Sequence, residues 1–260
     1  MADDNVKLAL CGAVGSFLES ADLSDFIIKC NGTTFNVHRF LLCLHSDVLA
    51  KWCTGDFKES KKGEVDLTIH EKQHIEALVK YLYTFDYSAE AIESHADKMS
   101  FHVTMCVIAD KYNIAGLKTL SISKFKAIVN TTETASELVE PCLLAYGSAI
   151  ATSVIRKLIV AIVVIRRNTL LPTTATEDSQ QLEEAMRTYP DFAIDVAKYV
   201  VVSAELPPQC SQLNFKCDNA FCGHRFKTHL GWSRHISYTC PKCSTSRTGE
   251  GWHLTCRTTV

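Results

Sequence analysis

The sequence predicts an α+β fold, in which a short mixed sheet packs with helices and is followed by a helical extension and a small zinc-ribbon-like module. Three observations lead to this prediction. Two β-rich runs within residues 26–37 are joined by Asn31-Gly32, apolar residues then recur at helical spacing as far as residue 203, and six of the 12 cysteines lie beyond residue 206. Such a succession of strands, helices and clustered cysteines is typical of an α+β part with an added metal-binding end.

Each early element has its own local signal. Asn-Gly between β-rich runs indicates a hairpin over residues 26–37. Apolar residues at intervals of three to four positions predict two short helices within residues 38–52, and Ser46-Asp47 is able to cap the second. Alternation of charged and apolar residues predicts a half-buried strand over residues 64–69.

Helical spacing returns after this strand. It predicts a helix over residues 71–85 and two further helices over residues 99–112 and 114–129, the first of them capped by Ser94 or Asp97. Beyond residue 130 the strand signals stop. The remaining predicted helices are 135–171, interrupted near Pro141 and Gly147, then 179–187 and 191–203. We expect a helical N-terminal segment over 1–20, an α+β domain over 21–130, a helical extension over 131–206 and a cysteine-rich module over 207–260, with Pro207-Pro208 as the linker.

Composition excludes several classes of protein. The chain has 260 residues, of which 47% are hydrophobic and 22% are charged, so a disordered chain is excluded. Its net charge is -2, so the chain lacks the excess of basic residues expected of a protein that binds nucleic acid mainly through the phosphates. Asp3 and Asp4 do not fit a secretory signal, and the eight apolar residues 158–165 are too few to cross a bilayer and predict a buried helix face. We therefore expect an intracellular protein without a membrane partner, whose clustered cysteines bind metal rather than form disulfides.

Five segments, in their order along the chain, resemble motifs of the BTB (POZ) domain family. They are DLSDFII at 22–28, VHRFLL at 37–42, TGDFKES at 54–60, LYTFDY at 82–87 and ADKYNIAGL at 109–117. A departure is Phe85, where many relatives carry glycine. The helical extension and the C-terminal cysteine pairs make the chain most similar to fungal BTB proteins. The resemblance implies the BTB fold over residues 21–130.

The resemblance also implies a function. BTB domains are protein interaction modules, so we expect no enzyme but a protein that dimerises with itself or with another BTB protein. In the family, an acid and a base matching Asp25 and Arg39 form a charged pocket at the dimer interface. Many members dock onto a cullin as substrate adaptors of a ubiquitin ligase, and Phe57 and Glu59 match the hydrophobic-x-Glu pattern that contacts the cullin. The alternative to a cullin contact is that Phe57 packs on its own domain. His38 is expected to have a structural role rather than to bind a ligand.

The cysteine cluster predicts a structural zinc site. Cys217 and Cys222, followed by Cys240 and Cys243, have a spacing close to that of a four-thiolate zinc ribbon. His235 in place of Cys243 is an alternative fourth ligand, because the same segment also has the spacing of a classical-type zinc finger. Basic and aromatic residues near these cysteines leave a nucleic-acid-binding regulator as an alternative function, although a solvated zinc module is the simpler interpretation.

Overall fold

The structure is a computed structural model that describes residues 9, 12–18, 20–205, 213–217, 219, 222–228, 237–240 and 242–248. The chain forms two compact units, Met1–Ala193 and Ile194–Val260. Within the described residues, every helix is too short or too polar to span a membrane.

A hairpin opens the sheet of the first unit. Strands β1 (Phe26–Cys30) and β2 (Thr33–Val37) pair antiparallel. Asn31 and Gly32 have φ angles of 45° and 75°, the two left-handed positions that a two-residue type I′ turn requires. The predicted hairpin is confirmed, and its cause is local.

Strand β3 (Glu64–Asp66) pairs parallel with β1, so the three-stranded mixed sheet has the order β2-β1-β3. The predicted strand was too long, since it continued to residue 69. It ends early because the Asp66 carboxylate accepts a hydrogen bond of 2.9 Å from the Thr68 backbone N–H, which turns the chain away from the sheet.

Seven helices of the described residues accompany this sheet. They are α1 (described over residues 12–18), α2 (Arg39–His45), α3 (Asp47–Thr54), α4 (Lys58–Lys62), α5 (Lys72–Thr84), α6 (His95–Lys111) and α7 (Ala115–Val129). The predicted caps are present, since the Ser46 hydroxyl accepts from two backbone N–H groups of α3, and Ser94 accepts from the Asp97 N–H of α6. The short helix α4 was not predicted.

The helical region continues with α8 (Ser136–Gly147), a 3₁₀ turn (Ala149–Thr152), α9 (Ser153–Ile165), α10 (Arg167–Leu170), α11 (Glu177–Thr188) and α12 (Pro190–Glu205). The predicted interruption near Gly147 is confirmed, since α8 ends there, whereas the predicted interruption near Pro141 is wrong. Pro141 is the sixth residue of α8, so its missing N–H leaves only the Glu137 carbonyl without its helical partner. Pro141 is also buried on a helix that packs against α6 and α11, and this packing offsets the cost.

The main core lies between the sheet and helices α2, α5 and α6, with Ile28, Leu42, Ile75 and Tyr83 fully buried. Helix α6 also packs against α7 and α8, which joins the helical region to the α+β part. Apolar residues of α9 such as Ile159 are buried there too, as the sequence predicts for residues 158–165.

The second unit contains two hairpins among its described residues. Strand β4 (Leu213–Lys216) pairs antiparallel with β5 (Arg225–Thr228), and β6 (Ser237–Thr239) pairs antiparallel with β7 (Ser246–Thr248). The predicted linker at Pro207-Pro208 lies outside the described residues.

Candidate metal centre and interaction surfaces

The four cysteines predicted as metal ligands lie together. Their sulfur atoms are all within 4.8 Å of one another. The Cys217 and Cys243 sulfurs are 3.6 Å apart, and those of Cys222 and Cys240 are 3.9 Å apart. A tetrahedral ion with zinc–sulfur bonds of about 2.3 Å places its ligands roughly 3.8 Å apart, whereas a disulfide bond is about 2.05 Å long. The cluster therefore has the spacing of a thiolate site, and it could bind a metal ion.

The two cysteine pairs lie at the turns of the two hairpins, and both turns share one hydrogen-bond plan. In the first, the Cys217 N–H donates to the His224 carbonyl over 2.9 Å. In the second, the Cys240 N–H donates to the Thr245 carbonyl, also over 2.9 Å. Each turn thus presents two sulfurs from a closed loop, although the first contains two more residues than the second.

The two turns also have the same backbone conformation at the residue after the second cysteine. Gly223 and Ser244, which follow the second cysteine of each pair, have left-handed φ angles of 51° and 57°. The Asn219 side-chain amide donates to the Thr245 hydroxyl over 3.1 Å and so links one turn to the other. The chain is therefore shaped to hold the four sulfurs in place from both sides.

Electrostatics in the cluster favours a cation. Burial raises the pKa of the Cys217 thiol to about 12, while hydrogen bonds from Thr245 lower the pKa of Cys243 to about 6. Four neighbouring thiolates repel one another, and a divalent cation is what allows all of them to lose their protons. His235, the alternative fourth ligand, lies outside the described residues, as do Cys210 and Cys256.

Asp25 and Arg39 lie in contact at the beginning of α2. The Arg39 backbone N–H donates to the Asp25 carboxylate over 2.8 Å, and the Arg39 side chain donates to the Asp25 carbonyl over 3.2 Å. The guanidinium also donates to the carbonyls of Cys53 and Ser60. The pair therefore ties β1, α2 and α3 together within one chain, a role that the sequence pattern alone did not indicate.

His38 has structural partners on both ring nitrogens. Its Nδ1 lies 2.6 Å from the Tyr83 hydroxyl and its Nε2 lies 2.7 Å from the Asp22 carbonyl. The Phe17 ring meets the His38 ring edge-on at 5.8 Å. These contacts fit the expected structural role and bring α1 to the beginning of α2.

Helix α2 has an exposed apolar face. Phe40 is 71% exposed and Leu44 is 60% exposed, and these side chains are one helical turn apart. Phe17 of α1 is also exposed at the end of this helix. We call Phe17, Phe40 and Leu44 the α2 face. Apolar spacing predicted the helix but not this face, because the spacing does not show whether a neighbouring element covers Phe40 and Leu44.

Phe57 and Glu59 lie in the loop and short helix before β3. Phe57 is the N-cap residue of α4 and is 55% exposed, while Glu59 lies in the first turn of α4. Packing of Phe57 against its own domain is therefore incomplete, whereas Glu59 is half-buried.

Residues 14–128 match the family model of the BTB/POZ domain. No curated protein matches the chain. The BTB segment contains the whole mixed sheet, helices α2 to α6 and all of α7 except its last residue. BTB domains are generally protein interaction modules rather than enzymes, so the match supports a role in protein binding.

The BTB segment also accounts for the five sequence motifs, all of which lie within it. They occur at the β1 strand, at the beginning of α2, at α4, at the end of α5 and at the junction of α6 with α7. Phe40 and Phe57 lie within two of these motifs, but the motifs do not show that their side chains are exposed, because exposure depends on which elements cover them.

Proposed function

We propose that the chain is a dimeric BTB-type adaptor that brings a protein substrate to a cullin-based ubiquitin ligase. The observation that carries the dimer is the α2 face within the BTB segment. Large apolar side chains exposed side by side are typical of an interaction surface, because covering them removes apolar area from water. Asp25 and Arg39 lie at the end of this face and would give the interface a charged rim.

The dimer is tested by light scattering of the purified chain. Phe40→Glu places a charge on the α2 face and should convert the dimer into a monomer. Ile69→Glu is the matched control, since Ile69 is 73% exposed and lies outside the α2 face. Equal molar masses for the two variants and the unaltered chain would contradict the proposed interface.

The cullin contact is proposed for Phe57 and Glu59, and the exposure of Phe57 supports it. An exposed aromatic side chain beside a carboxylate offers a partner both apolar area and a hydrogen-bond acceptor. A pull-down with a cullin should recover the unaltered chain and lose the Phe57→Ala, Glu59→Ala double variant. Equal cullin recovery by both proteins would show that these residues make no contact with it.

For the C-terminal module we propose a structural zinc ion held by Cys217, Cys222, Cys240 and Cys243. The sulfur spacing supports it, and thiolates are ligands that zinc prefers. Cys243→Ala should lose the metal while His235→Ala keeps it, as measured by zinc content per chain. The reverse pattern would favour the ligand set that includes His235.

We further propose that the module beyond residue 206 recruits the substrate. Affinity purification and mass spectrometry of the full chain, compared with a chain ending near residue 206, tests this division. Proteins recovered only with the full chain would be substrates of the module. Identical sets of recovered proteins would contradict it.

A further inference from the structure

A groove that none of the motifs marks lies between α5, α6 and α8. Its larger cavity has a volume of about 410 Å³, and its acidic lining residues are Glu71, Asp97 and Glu140. Among the described residues, neither lysine nor arginine lines this cavity. The three carboxylates come from the beginnings of α5 and α6 and from the middle of α8, so only the packing of these helices brings them together.

The charges of these carboxylates are largely uncompensated. Glu71 accepts a hydrogen bond of 2.8 Å from the Gln73 amide and lies 3.7 Å from the buried His74 ring. Burial lowers the pKa of His74 below its ordinary value, so the ring is neutral at pH 7. Asp97 and Glu140 form no ion pair with any described residue. The cavity is therefore negatively charged, and its walls, which exclude water, strengthen the negative electrostatic potential inside it.

The lining also includes apolar and unpaired polar groups. Phe101, stacked on His74 at 4.7 Å, lines the cavity together with Ile92 and Leu144. Ser100 lines it too, and its hydroxyl oxygen is buried without a hydrogen-bond partner among the described residues. An occupant with a cationic end, an apolar stem and backbone hydrogen-bonding groups would match each of these features.

A second cavity of about 200 Å³ continues the first along α5. The two share Gln73, Ile92 and Phe101, so they form one groove. The second cavity is more apolar than the first and is lined by Ala77 and Ala89, with one charge of each sign from Glu76 and Lys80, so the uncompensated negative charge lies in the first cavity. An occupant that fills both parts must therefore be longer than a single amine, and an extended polypeptide segment meets this requirement.

We propose that this groove binds a basic segment of a partner protein, with a lysine or arginine side chain among the carboxylates of Glu71, Asp97 and Glu140 and a small apolar side chain beside Ala77. The inference goes beyond the proposed adaptor function, because none of the α2 face, Phe57 or the zinc ligands lines the groove. The first unit would then have a separate binding site, which selects partners by a basic segment.

The test uses the zinc-loaded full chain and a fluorescein-labelled heptapeptide of alternating alanine and arginine, followed by fluorescence anisotropy at about 150 mM salt. We expect saturable binding of this peptide and none of the peptide with glutamate in place of arginine. Asp97→Asn with Glu140→Gln should weaken binding roughly tenfold, since two exposed ionic contacts are lost. Glu177→Gln with Glu184→Gln, on α11, changes the net charge equally and should leave binding unchanged.

A further variant, Glu140→Lys, places a cation in the groove and should abolish binding, which keeps the test decisive if the double variant unfolds. Equal loss in the α11 control, or unchanged binding in the groove variants, would overturn the proposal. Equal affinity for spermine would also overturn it, because a free polyamine would then suffice. Light scattering on the same samples tests the dimer separately. If the chain is a dimer but does not bind the arginine peptide, the proposed groove site is refuted and the proposed dimer is not.

Discussion

A buried histidine makes the first unit sensitive to acid. His102 is 3% exposed, and its Nδ1 lies 2.8 Å from the Tyr87 hydroxyl. Burial, together with the charge of Lys124, lowers the pKa of His102 to about 4. Burial raises the pKa of Tyr87, so the phenol keeps its proton and donates a hydrogen bond to Nδ1 of the neutral imidazole. The folded state therefore holds a histidine that does not accept a proton until the solution is strongly acidic.

The sign of the pH dependence follows from this lowered pKa. In the unfolded chain the imidazole titrates near pH 6.5, so above that pH both states are neutral and the full stability is present. Between about pH 6.5 and pH 4 the unfolded state takes up a proton that the folded state does not. The free energy of unfolding falls by about 1.4 kcal/mol per pH unit, which amounts to about 3 kcal/mol over this interval.

The measurement compares the unaltered chain with His102→Gln, whose amide can still accept from Tyr87 but does not titrate. Trp52, which packs edge-on against Tyr112 at 5.3 Å, reports the unfolding of the first unit. Both chains carry Trp232→Phe and Trp252→Phe, so that Trp52 gives the signal. In urea titrations from pH 7 to about pH 4.5, we expect the chain with His102 to lose about 2 to 3 kcal/mol more than the variant.

Other histidines do not disturb this comparison. His45, His70 and His74 also have pKa values lowered by burial, but they are present in both chains, so their effect cancels in the difference. If the two plots of unfolding free energy against pH ran parallel, His102 would titrate alike in both states, and the argument from its burial would be refuted.

Further predictions concern backbone packing, a helix cap and the metal. A Cβ at position 116 would overlap the Tyr81 hydroxyl, so Gly116→Ala should lower the free energy of unfolding, measured with urea, by about 1–3 kcal/mol. Adding Tyr81→Phe to this variant should restore most of that free energy, and a double variant as unstable as the single one would contradict the overlap. The Ser46 hydroxyl caps α3 and donates to the Tyr112 carbonyl, so Ser46→Ala should cost about 2 kcal/mol, and a loss below about 0.5 kcal/mol would show that the cap is dispensable. A strong chelator should release one zinc ion per chain and remove amide-exchange protection from β4 to β7 while α6 stays protected; protection retained without metal would mean that the hairpins fold on their own.

Much of the fold could be predicted because its signals are local. Asn31-Gly32 determines the hairpin turn through the φ angles of its own two residues, and Ser46 and Ser94 cap helices through neighbouring N–H groups. The errors lie where distant residues decide the outcome. Pro141 remains inside α8 because α6 and α11 cover it, and no pattern in residues 135–147 shows that packing.

The candidate sites divide in the same way. The thiolate cluster could be predicted from cysteine spacing, because each pair closes a short turn, although the contacts that bring the two turns together are long-range. The acidic groove could not be predicted, since Glu71, Asp97 and Glu140 come from three separate helices and each resembles an ordinary solvated carboxylate in the sequence. Exposure of Phe40 and Leu44 was likewise hidden, because apolar spacing on a helix does not show which face is covered.

Burial explains why the cysteines of the first unit differ chemically from those of the cluster. Cys30, Cys53 and Cys142 are buried, and burial raises the pKa of each, that of Cys53 to about 12 with a further contribution from the neighbouring Cys43. A thiol that keeps its proton is a poor nucleophile and a poor metal ligand, so these residues act as small apolar side chains. In the cluster, burial raises the pKa of Cys217 as well, but three further sulfurs lie within 4.8 Å of its own. A divalent cation can then offset the cost of ionisation for all four thiols together, which an isolated buried cysteine cannot obtain. The same physical cost therefore makes one set of cysteines inert and suits the other to binding a metal ion.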